Sequence, residues 1–273
     1  TPDKVAGGFT NIDGAAVDAA GNVYFVDQPA QRIHRWSAAG GGLTLVTDSV
    51  PQPVAIAIAA SGELMVVTRH GNVYAFNPGA SEADMVVVTP RTAATRETVT
   101  AWLPTNRWRD SHDWIEATTR REPLEYVSTD GTIAIPAPES FSLLPKPGRA
   151  RGFGTIDLTR TYELAPARAG EPFYVADEFS QKTWRFTVAP GGVLSEPQLF
   201  AQEGEGGTAV DVEGRVYVCA GQVFVYDRSG VEIDRIDVPE RPSAVVFGGP
   251  DRKTLFIAAR SSLYGMPANV AGR

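Results

Sequence analysis

The sequence has few of the residue types from which many catalytic and metal sites are built. Its 273 residues include one cysteine, three histidines and three methionines. The single cysteine, Cys219, excludes an internal disulfide, and its place on an apolar strand predicts a small buried side chain rather than a nucleophile. The spacings of a nucleophile elbow, a zinc-protease helix and a phosphate-binding loop are also absent. The sequence therefore does not indicate a reaction through any of these three motifs.

Charge and hydropathy exclude two further classes of protein. The formal net charge is −7, whereas a nucleic-acid-binding surface needs a basic footprint. No stretch approaches the roughly 18 apolar residues that a membrane-spanning helix requires. Hydrophobic residues make up 43% of the chain and charged residues 21%, which is typical of a globular protein. We therefore expect a single domain over residues 1–273, without a nucleic-acid partner or a membrane span.

A strand–turn–strand pattern repeats along the chain. Residues 209–230 read AVDVEGRVYVCAGQVFVYDRSG, three alternating apolar segments separated by tight turns. Six units of this kind align, roughly 40 residues apart except for one longer interval. Their aligned positions are Asp13, Val54, Pro123, Tyr162, Gly206 and Ser243. Units of this length are typical of four-stranded blades, so the sequence predicts an all-β, six-bladed β-propeller.

Two features complete the predicted ring. The last unit offers three strands, so we expect the N-terminal segment Lys4–Thr10 to supply its fourth and to close the ring. The longer interval holds an insertion of about residues 90–122 between blades two and three. Its residues 100–122 carry tryptophan, arginine and carboxylate side chains, which predicts either a lid over a polar ligand or a structural flap held by ion pairs.

Propeller geometry places the candidate residues on one face. First strands line the central channel, so the aligned positions and the loops that follow second strands share one mouth. The candidates on this face are Asp13, Asp177 and His112 for catalysis and Arg69, His70, Trp108, Arg109 and Tyr162 for substrate binding. Asp27 and Asp177 occupy equivalent places, which also fits carboxylates that accept loop amides. Asp18 and Asp211 are predicted turn formers at the opposite face.

The first and last units resemble a known family. DGAAVDAAGNVYFVDQPAQRIHRW and RPSAVVFGGPDRKTLFIAARSSLYGM are similar to the opening and closing blades of the SMP-30/gluconolactonase/luciferin-regenerating enzyme family. This resemblance implies a six-bladed propeller that hydrolyses lactones and related esters with a divalent cation at the channel mouth. It implies ligands at four aligned positions, which here are Asp13, Pro123, Tyr162 and Gly206. Only Asp13 retains a carboxylate.

A cation site would therefore have to be rebuilt. A shift of one residue brings in Glu163 and Glu205, which together with Asp13 form the candidate ligand set for calcium or a similar ion. Such an ion takes about six to eight oxygen ligands. A single carboxylate together with waters would not hold it well.

The resemblance also implies roles for other residues. With a cation, the ion would polarise the lactone carbonyl, Asp13 or Asp177 would accept the proton of water, and Arg69 or Arg109 would stabilise the oxyanion. Without one, Asp13, Glu163 and His112 are candidates for metal-free acid–base chemistry.

These observations lead to one expected function and one alternative. The expected function is hydrolysis of a lactone or sugar-derived ester, a small molecule, at the channel mouth. The alternative is a metal-free ligand-binding or structural propeller that has lost the family's cation site. Thr1 in place of methionine, together with the export of bacterial relatives, predicts a periplasmic or secreted protein, although a trimmed chain would begin in the same way.

Overall fold

The computed structural model describes residues 1–58, 62–68, 73–79, 86–88, 170–178, 180–188 and 194–273. These residues form β-strands joined by turns and loops. No helix in this part of the chain combines the length and the apolar character needed to cross a membrane. The predicted third unit at Pro123 and the predicted lid at about residues 90–122 lie outside the described residues.

The strands are numbered here in chain order. They are β1 (Asp3–Gly7), β2 (Ile12–Val17), β3 (Val23–Asp27), β4 (Arg32–Ser37), β5 (Gly42–Thr47), β6 (Pro53–Ile58), β7 (Leu64–Thr68), β8 (Val73–Phe76), β9 (Val86–Val88), β10 (Pro172–Asp177), β11 (Lys182–Val188), β12 (Leu194–Ala201), β13 (Thr208–Val210), β14 (Val216–Ala220), β15 (Gln222–Tyr226), β16 (Glu232–Ile236), β17 (Pro242–Gly248), β18 (Thr254–Ala259) and β19 (Ser262–Pro267).

Within the described ranges the strands form five antiparallel sheets, which are the blades of a propeller. Blade one is β2-β3-β4-β5 and blade two is β6-β7-β8-β9. Numbered after the predicted units, blade four shows the three strands β10-β11-β12, blade five is β13-β14-β15-β16, and blade six contains β17-β18-β19. Short turns between consecutive strands allow each blade to form from one stretch of chain. The all-β propeller is thus confirmed, whereas the count of six blades stays a prediction because the third unit falls outside these ranges.

The N-terminal strand belongs to the last sheet. β1 pairs antiparallel with β19, with Asp3 opposite Gly265 and Gly7 opposite Ser262. The sheet order is β1-β19-β18-β17, so β1 is its outer strand, the position that was predicted for the N-terminal segment. Closure of a complete six-bladed ring by this strand, and a lid over its mouth, remain predictions.

The outermost strand is the least buried strand of blades one, five and six. Every residue of β3 is buried, and five of the six residues of β6 are buried. By contrast, β5 and β16 at the outer edges are largely exposed. Inner strands lie between neighbouring blades and read as continuous apolar runs, whereas outer strands face water on at least one side.

The hydrophobic core lies mainly between adjacent blades. Tyr24 and Val26 of blade one pack with Ile56, Leu64 and Val66 of blade two. A second cluster joins blades six and one, a third joins blades five and six, and a fourth joins blades four and five. Burial of these side chains therefore holds the blades to one another and fixes where the first strands meet.

Two aspartates form equivalent turns at the face opposite the mouth. Asp18 Oδ1 accepts the backbone N–H groups of Ala20 and Asn22, each at 2.9 Å. Asp211 Oδ1 accepts those of Glu213 at 2.9 Å and Arg215 at 3.0 Å. Each carboxylate closes the turn between the first and second strands, which confirms the prediction that both residues are turn formers.

Candidate active site

First strands line a central cavity, as predicted. The lining comes from β2, β6, β13 and β17, together with the start of β10. Asp13, Val54, Gly207 and Ser243 lie at one end, which we call the mouth. Among the lining residues, the carboxylates are Asp13 and Glu171, and the arginines are Arg252 and Arg273.

A β-bulge recurs at the aligned position of blades two and six, and one residue after it in blade one. The pairing register shifts between Asp13 and Ala15 in blade one, between Pro53 and Ala55 in blade two, and between Pro242 and Ala244 in blade six. Two residues of the first strand therefore oppose one residue of the second. The residue left out of the pairing is Gly14 in blade one, Val54 in blade two and Ser243 in blade six, so Asp13 directly precedes a bulged residue whereas Val54 and Ser243 are bulged residues themselves.

Blade five has a related irregularity at its aligned position. The backbone N–H groups of Glu205 and Gly206 both donate to the carbonyl oxygen of Cys219, at 3.0 and 2.9 Å. Cys219 is fully buried and its thiol forms no disulfide, so its predicted role as a small core residue is confirmed. A Cβ at Gly206 would overlap the carbonyl oxygen of Ser243 and lie 3.0 Å from the Cys219 Cβ. This position thus has no room for a side chain.

Ser243 joins three blades at the mouth. Its carbonyl oxygen accepts the Gly207 N–H of blade five at 2.8 Å. Its hydroxyl contacts the carbonyl oxygens of Ile12 in blade one at 2.8 Å and of Ala258 in blade six at 3.1 Å. Since Ile12 immediately precedes Asp13, Ser243 fixes the backbone that carries this carboxylate. Ser243 is one of the aligned positions, but the sequence predicts no role for it.

The three aspartates on the mouth face differ in environment. Asp13 is 5% exposed and lines the cavity. Asp27 is buried and accepts the N–H groups of Thr10 and Asn11, at 2.9 and 3.0 Å, which confirms that it binds loop amides. Asp177, at the equivalent place in blade four, is fully buried and accepts the Ser180 hydroxyl at 3.1 Å. Asp13 is thus the aspartate that lines the cavity.

Glu205 takes part in an ion pair that crosses between blades. Its carboxylate accepts hydrogen bonds from Nε of Arg241 at 3.1 Å and from Nη2 of Arg241 at 2.5 Å. The amide of Gln181 also donates to it at 3.4 Å. Glu205 is one of the predicted cation ligands, whereas no pattern in the sequence identifies Arg241 as its neighbour.

The described donors do not fit a calcium-type cation. Within the described ranges no group of three or more His, Cys, Asp or Glu side chains is close enough to hold a metal ion. Glu205 is engaged by Arg241, and Gly206 has no side chain to offer. Glu163, the remaining candidate ligand, lies outside the described residues. We therefore derive no reaction step through a metal ion.

Glu240 is a second carboxylate that fastens a loop on this face. It accepts the Ser261 N–H at 2.9 Å, the Ser262 hydroxyl and the Tyr264 hydroxyl. Burial raises the pKa of Glu240, but these hydrogen bonds outweigh burial and lower the pKa to about 2. Glu240 thus stays charged and ties the loop after β18 to the segment that precedes β17.

His34 lies in the core of blade one beside the N-terminal connection. Its ring is 5.2 Å from Phe9 and 5.6 Å from Phe25, and its Nδ1 has no hydrogen-bond partner. Burial lowers the pKa of His34, and the nearby charges of Asp27 and Arg32 have opposing, smaller effects. His34 is therefore a packing residue in blade one.

The other predicted site residues fall outside the described residues. They are Arg69, His70, Trp108, Arg109, His112, Tyr162 and Glu163. Their roles stay predictions.

Comparison with known sequences supports the predicted resemblance. A model of the family described as SMP-30/Gluconolactonase/LRE-like region matches residues 164–261. A curated relative, the pentonolactonase XacC of Haloferax volcanii, is 31% identical over 119 residues, or 38% of this chain. That alignment covers 41% of the relative, so the matched part of the chain spans less than half the length of the relative.

Solved structures extend the comparison to nearly the whole chain. A putative gluconolactonase has a TM-score of 0.63 and 20% identity, over 98% of this chain and 92% of that one. A gluconolactonase from Xanthomonas campestris has a TM-score of 0.62 and 18% identity, over 97% and 88%. Regucalcin from Agrobacterium tumefaciens, a calcium-binding protein, has a TM-score of 0.55 and 13% identity, over 100% and 95%. At these identities the structures show the fold alone. The predicted resemblance to the SMP-30/gluconolactonase/LRE-like family is thus confirmed, by the sequence match at residues 164–261 and by the shared propeller fold.

Proposed function

We propose that this protein hydrolyses a lactone or sugar-derived ester at the mouth of its central channel. The observation that carries the proposal is the placement of Asp13, a 5% exposed carboxylate that lines the cavity next to a β-bulge. The match to a pentonolactonase supports the substrate class. A mouth formed by several first strands also suits a small ring-shaped molecule.

The proposed reaction assigns Asp13 the role of general base. It accepts a proton from water as the water oxygen adds to the lactone carbonyl carbon. The ring C–O bond of the resulting tetrahedral adduct then breaks, and the proton returns to the departing ring oxygen. One lactone and one water yield one hydroxy acid. Ser243 supports this step by holding the Ile12 carbonyl next to Asp13.

An isosteric substitution tests this role. We expect Asp13→Asn to lower kcat by about a hundredfold or more on a pentonolactone or gluconolactone, because an amide cannot accept the proton of water. Hydrolysis is followed as acid release with a pH indicator, after subtraction of the spontaneous rate. Asp234→Asn on the exposed outer strand β16 is the matched control and retains wild-type activity. Wild-type activity in Asp13→Asn would refute the assignment, and no lactone hydrolysis by the wild type would refute the function.

A divalent cation is a separate part of the proposal. The candidate ligands Asp13, Glu163 and Glu205 remain a prediction, which plasma mass spectrometry of protein purified without a metal-affinity column would test. One equivalent of a divalent ion that is lost in Asp13→Ala supports the prediction. A metal content near zero contradicts it, without deciding the role of Asp13 as a base.

A ligand-binding propeller is the second candidate. It is favoured by the engagement of Asp27 and Glu205 in structural contacts, which leaves these mouth carboxylates less suited to acid–base chemistry. This function predicts that the wild type binds a sugar lactone in calorimetry without accelerating its hydrolysis.

A further inference from the structure

The end of the central cavity opposite the mouth is lined by a second group of polar residues, which we call the far end. Its members are Glu171, Tyr174, Arg252 and Arg273. Arg252 lies in the turn between β17 and β18, and Arg273 lies beside Val210 at the end of β13. Along β2 the cavity lining runs from Asp13 to Val17, which is roughly 13 Å of extended strand. The far end is therefore separate from the mouth.

Hydrogen bonds from two blades hold Arg252 in place. Its backbone N–H donates to the Gly249 carbonyl of blade six at 3.0 Å. Its Nη2 donates to the Asp18 backbone carbonyl of blade one at 3.1 Å. Because this acceptor is a neutral carbonyl, the contact orients the guanidinium without pairing its positive charge with a carboxylate.

Arg273 is held next to Arg252 by the backbone. The N–H of Gly272 donates to the Arg252 carbonyl, and the N–H of Arg273 donates to the Val210 carbonyl, each at 3.0 Å. Nη1 of Arg273 lies 4.0 Å from Oε2 of Glu171, which is an ion-pair distance but too long for a hydrogen bond. The contact with Glu171 therefore uses none of the N–H groups of this guanidinium.

Positive charge exceeds negative charge at the far end. Its lining residues include two arginines and one carboxylate, although the whole chain has a formal net charge of −7. Burial raises the pKa of Tyr174, and the charges of Arg185, Arg273 and Arg228 oppose this rise. Three guanidinium groups thus act on one phenol, whose residue is 5% exposed.

Neighbouring carboxylates are engaged in turns. Asp18 accepts the N–H groups of Ala20 and Asn22, and Asp211 accepts Nε of Arg215 at 2.6 Å. Neither aspartate is among the described residues that line the cavity. The charge that a molecule in this part of the cavity meets first is therefore that of the arginines.

We propose that the far end binds a small oxyanion, a carboxylate or a phosphate, between the guanidinium groups of Arg252 and Arg273. Guanidinium N–H groups match the paired oxygens of both anions, and the Tyr174 hydroxyl is a further donor. The cavity volume of about 260 Å³ far exceeds the roughly 10–15 Å³ that one water needs, so a small anion has room. The proposal goes beyond lactone hydrolysis and does not depend on it.

Calorimetry with two probes tests this site. Inorganic phosphate and malonate are titrated separately at one fixed ionic strength, because salt screens such contacts. We expect the wild type to bind at least one probe, and the tighter probe identifies the anion as a phosphate or a carboxylate. Arg252→Ala and Arg273→Ala each weaken its binding about tenfold or more, because hydrogen bonds from a charged donor are lost. Binding of neither probe to the wild type overturns the proposal.

A substitution of opposite sign separates binding from a purely structural role. Glu171→Gln removes the negative charge beside Arg273 and should tighten binding of the probe about twofold or more. Loss of a structural contact alone would not increase affinity. Unchanged or weaker binding in Glu171→Gln overturns the proposal.

Two control variants leave the anion affinity within about twofold of the wild type. Arg235→Ala removes an arginine that pairs with Glu232 at 2.8 Å on the outer strand β16. Asp13→Asn changes the mouth, so an unchanged anion affinity in this variant separates the far end from the proposed catalytic site. If circular dichroism shows that Arg252→Ala does not fold, Arg273→Ala decides. Affinity in Arg273→Ala equal to that in Arg235→Ala overturns the proposal.

Discussion

Adding one methyl group at Gly206 is expected to destabilise the channel mouth. The new Cβ would overlap the carbonyl oxygen of Ser243 and approach its carbonyl carbon to 2.9 Å. Both atoms belong to the backbone of the neighbouring blade, so no side-chain rotation relieves the overlap. Blades five and six would have to separate, which would stretch the 2.8 Å hydrogen bond between the Gly207 N–H and the Ser243 carbonyl.

The structure allows the loss to be estimated. Overpacking in a closely packed region costs about 1–3 kcal/mol. Loss of the interblade hydrogen bond adds about 0.5–1.5 kcal/mol. We therefore expect Gly206→Ala to lower the free energy of unfolding by about 2–4 kcal/mol. For a domain of this size that corresponds to a decrease in Tm of roughly 5–15 °C.

Urea denaturation followed by circular dichroism measures this loss. Gly40→Ala is the matched control, since a Cβ at Gly40 meets no atom within 4 Å. Its backbone is not in the left-handed region, so the control should change stability by less than about 0.5 kcal/mol. If Gly206→Ala were as stable as Gly40→Ala, the mouth would have room for a side chain at the aligned position of blade five. The conclusion that no side chain at this position can serve as a cation ligand would then be wrong.

Two further predictions concern blade one. Asp27→Ala leaves two backbone N–H groups without their acceptor and should lower the free energy of unfolding by about 2–4 kcal/mol in urea titrations. The exposed turn variant Asp227→Ala should lose clearly less, and equal losses would contradict the role of Asp27. Burial lowers the pKa of His34 from 6.5, so the unfolded state takes up a proton more readily and stability falls as pH drops below about 6.5. His34→Phe should have a shallower pH dependence of Tm in that range, and an unchanged slope would refute the argument.

The repeated pattern predicted much of the fold because it reflects local chemistry. The segment RVYVCA and the segment VFVYD appear as β14 and β15, on either side of the expected turn at Gly221. The pairing of β1 with β19 could also be predicted, since a three-stranded last unit leaves a strand edge that needs a partner. These conclusions need only strand periodicity, turn residues and the rule that sheet edges are paired.

The aligned positions were partly predictable for a related reason. Counting back from the end of each first strand placed Asp13, Val54 and Ser243 together, and the structure has a bulge at Val54, at Ser243 and one residue after Asp13, at Gly14. The pair of Glu205 and Arg241 was not predictable, because its members lie in different blades and no local motif connects them. The lack of space for a side chain at Gly206 also could not be predicted from the sequence, since a backbone carbonyl from the next blade fills that space.

The pairing of β1 with β19 has a consequence for the order of events during synthesis. Asp3 leaves the ribosome well before its partner Gly265, because the two residues lie far apart in the sequence. Blades one and five can each form from one stretch of chain soon after it emerges, but the sheet that contains β1 must wait until β19 has emerged. Bringing such distant segments together carries a large loop-closure entropy. Until β1 pairs with it, β19 presents an open strand edge at which the nascent chain can pair with another molecule.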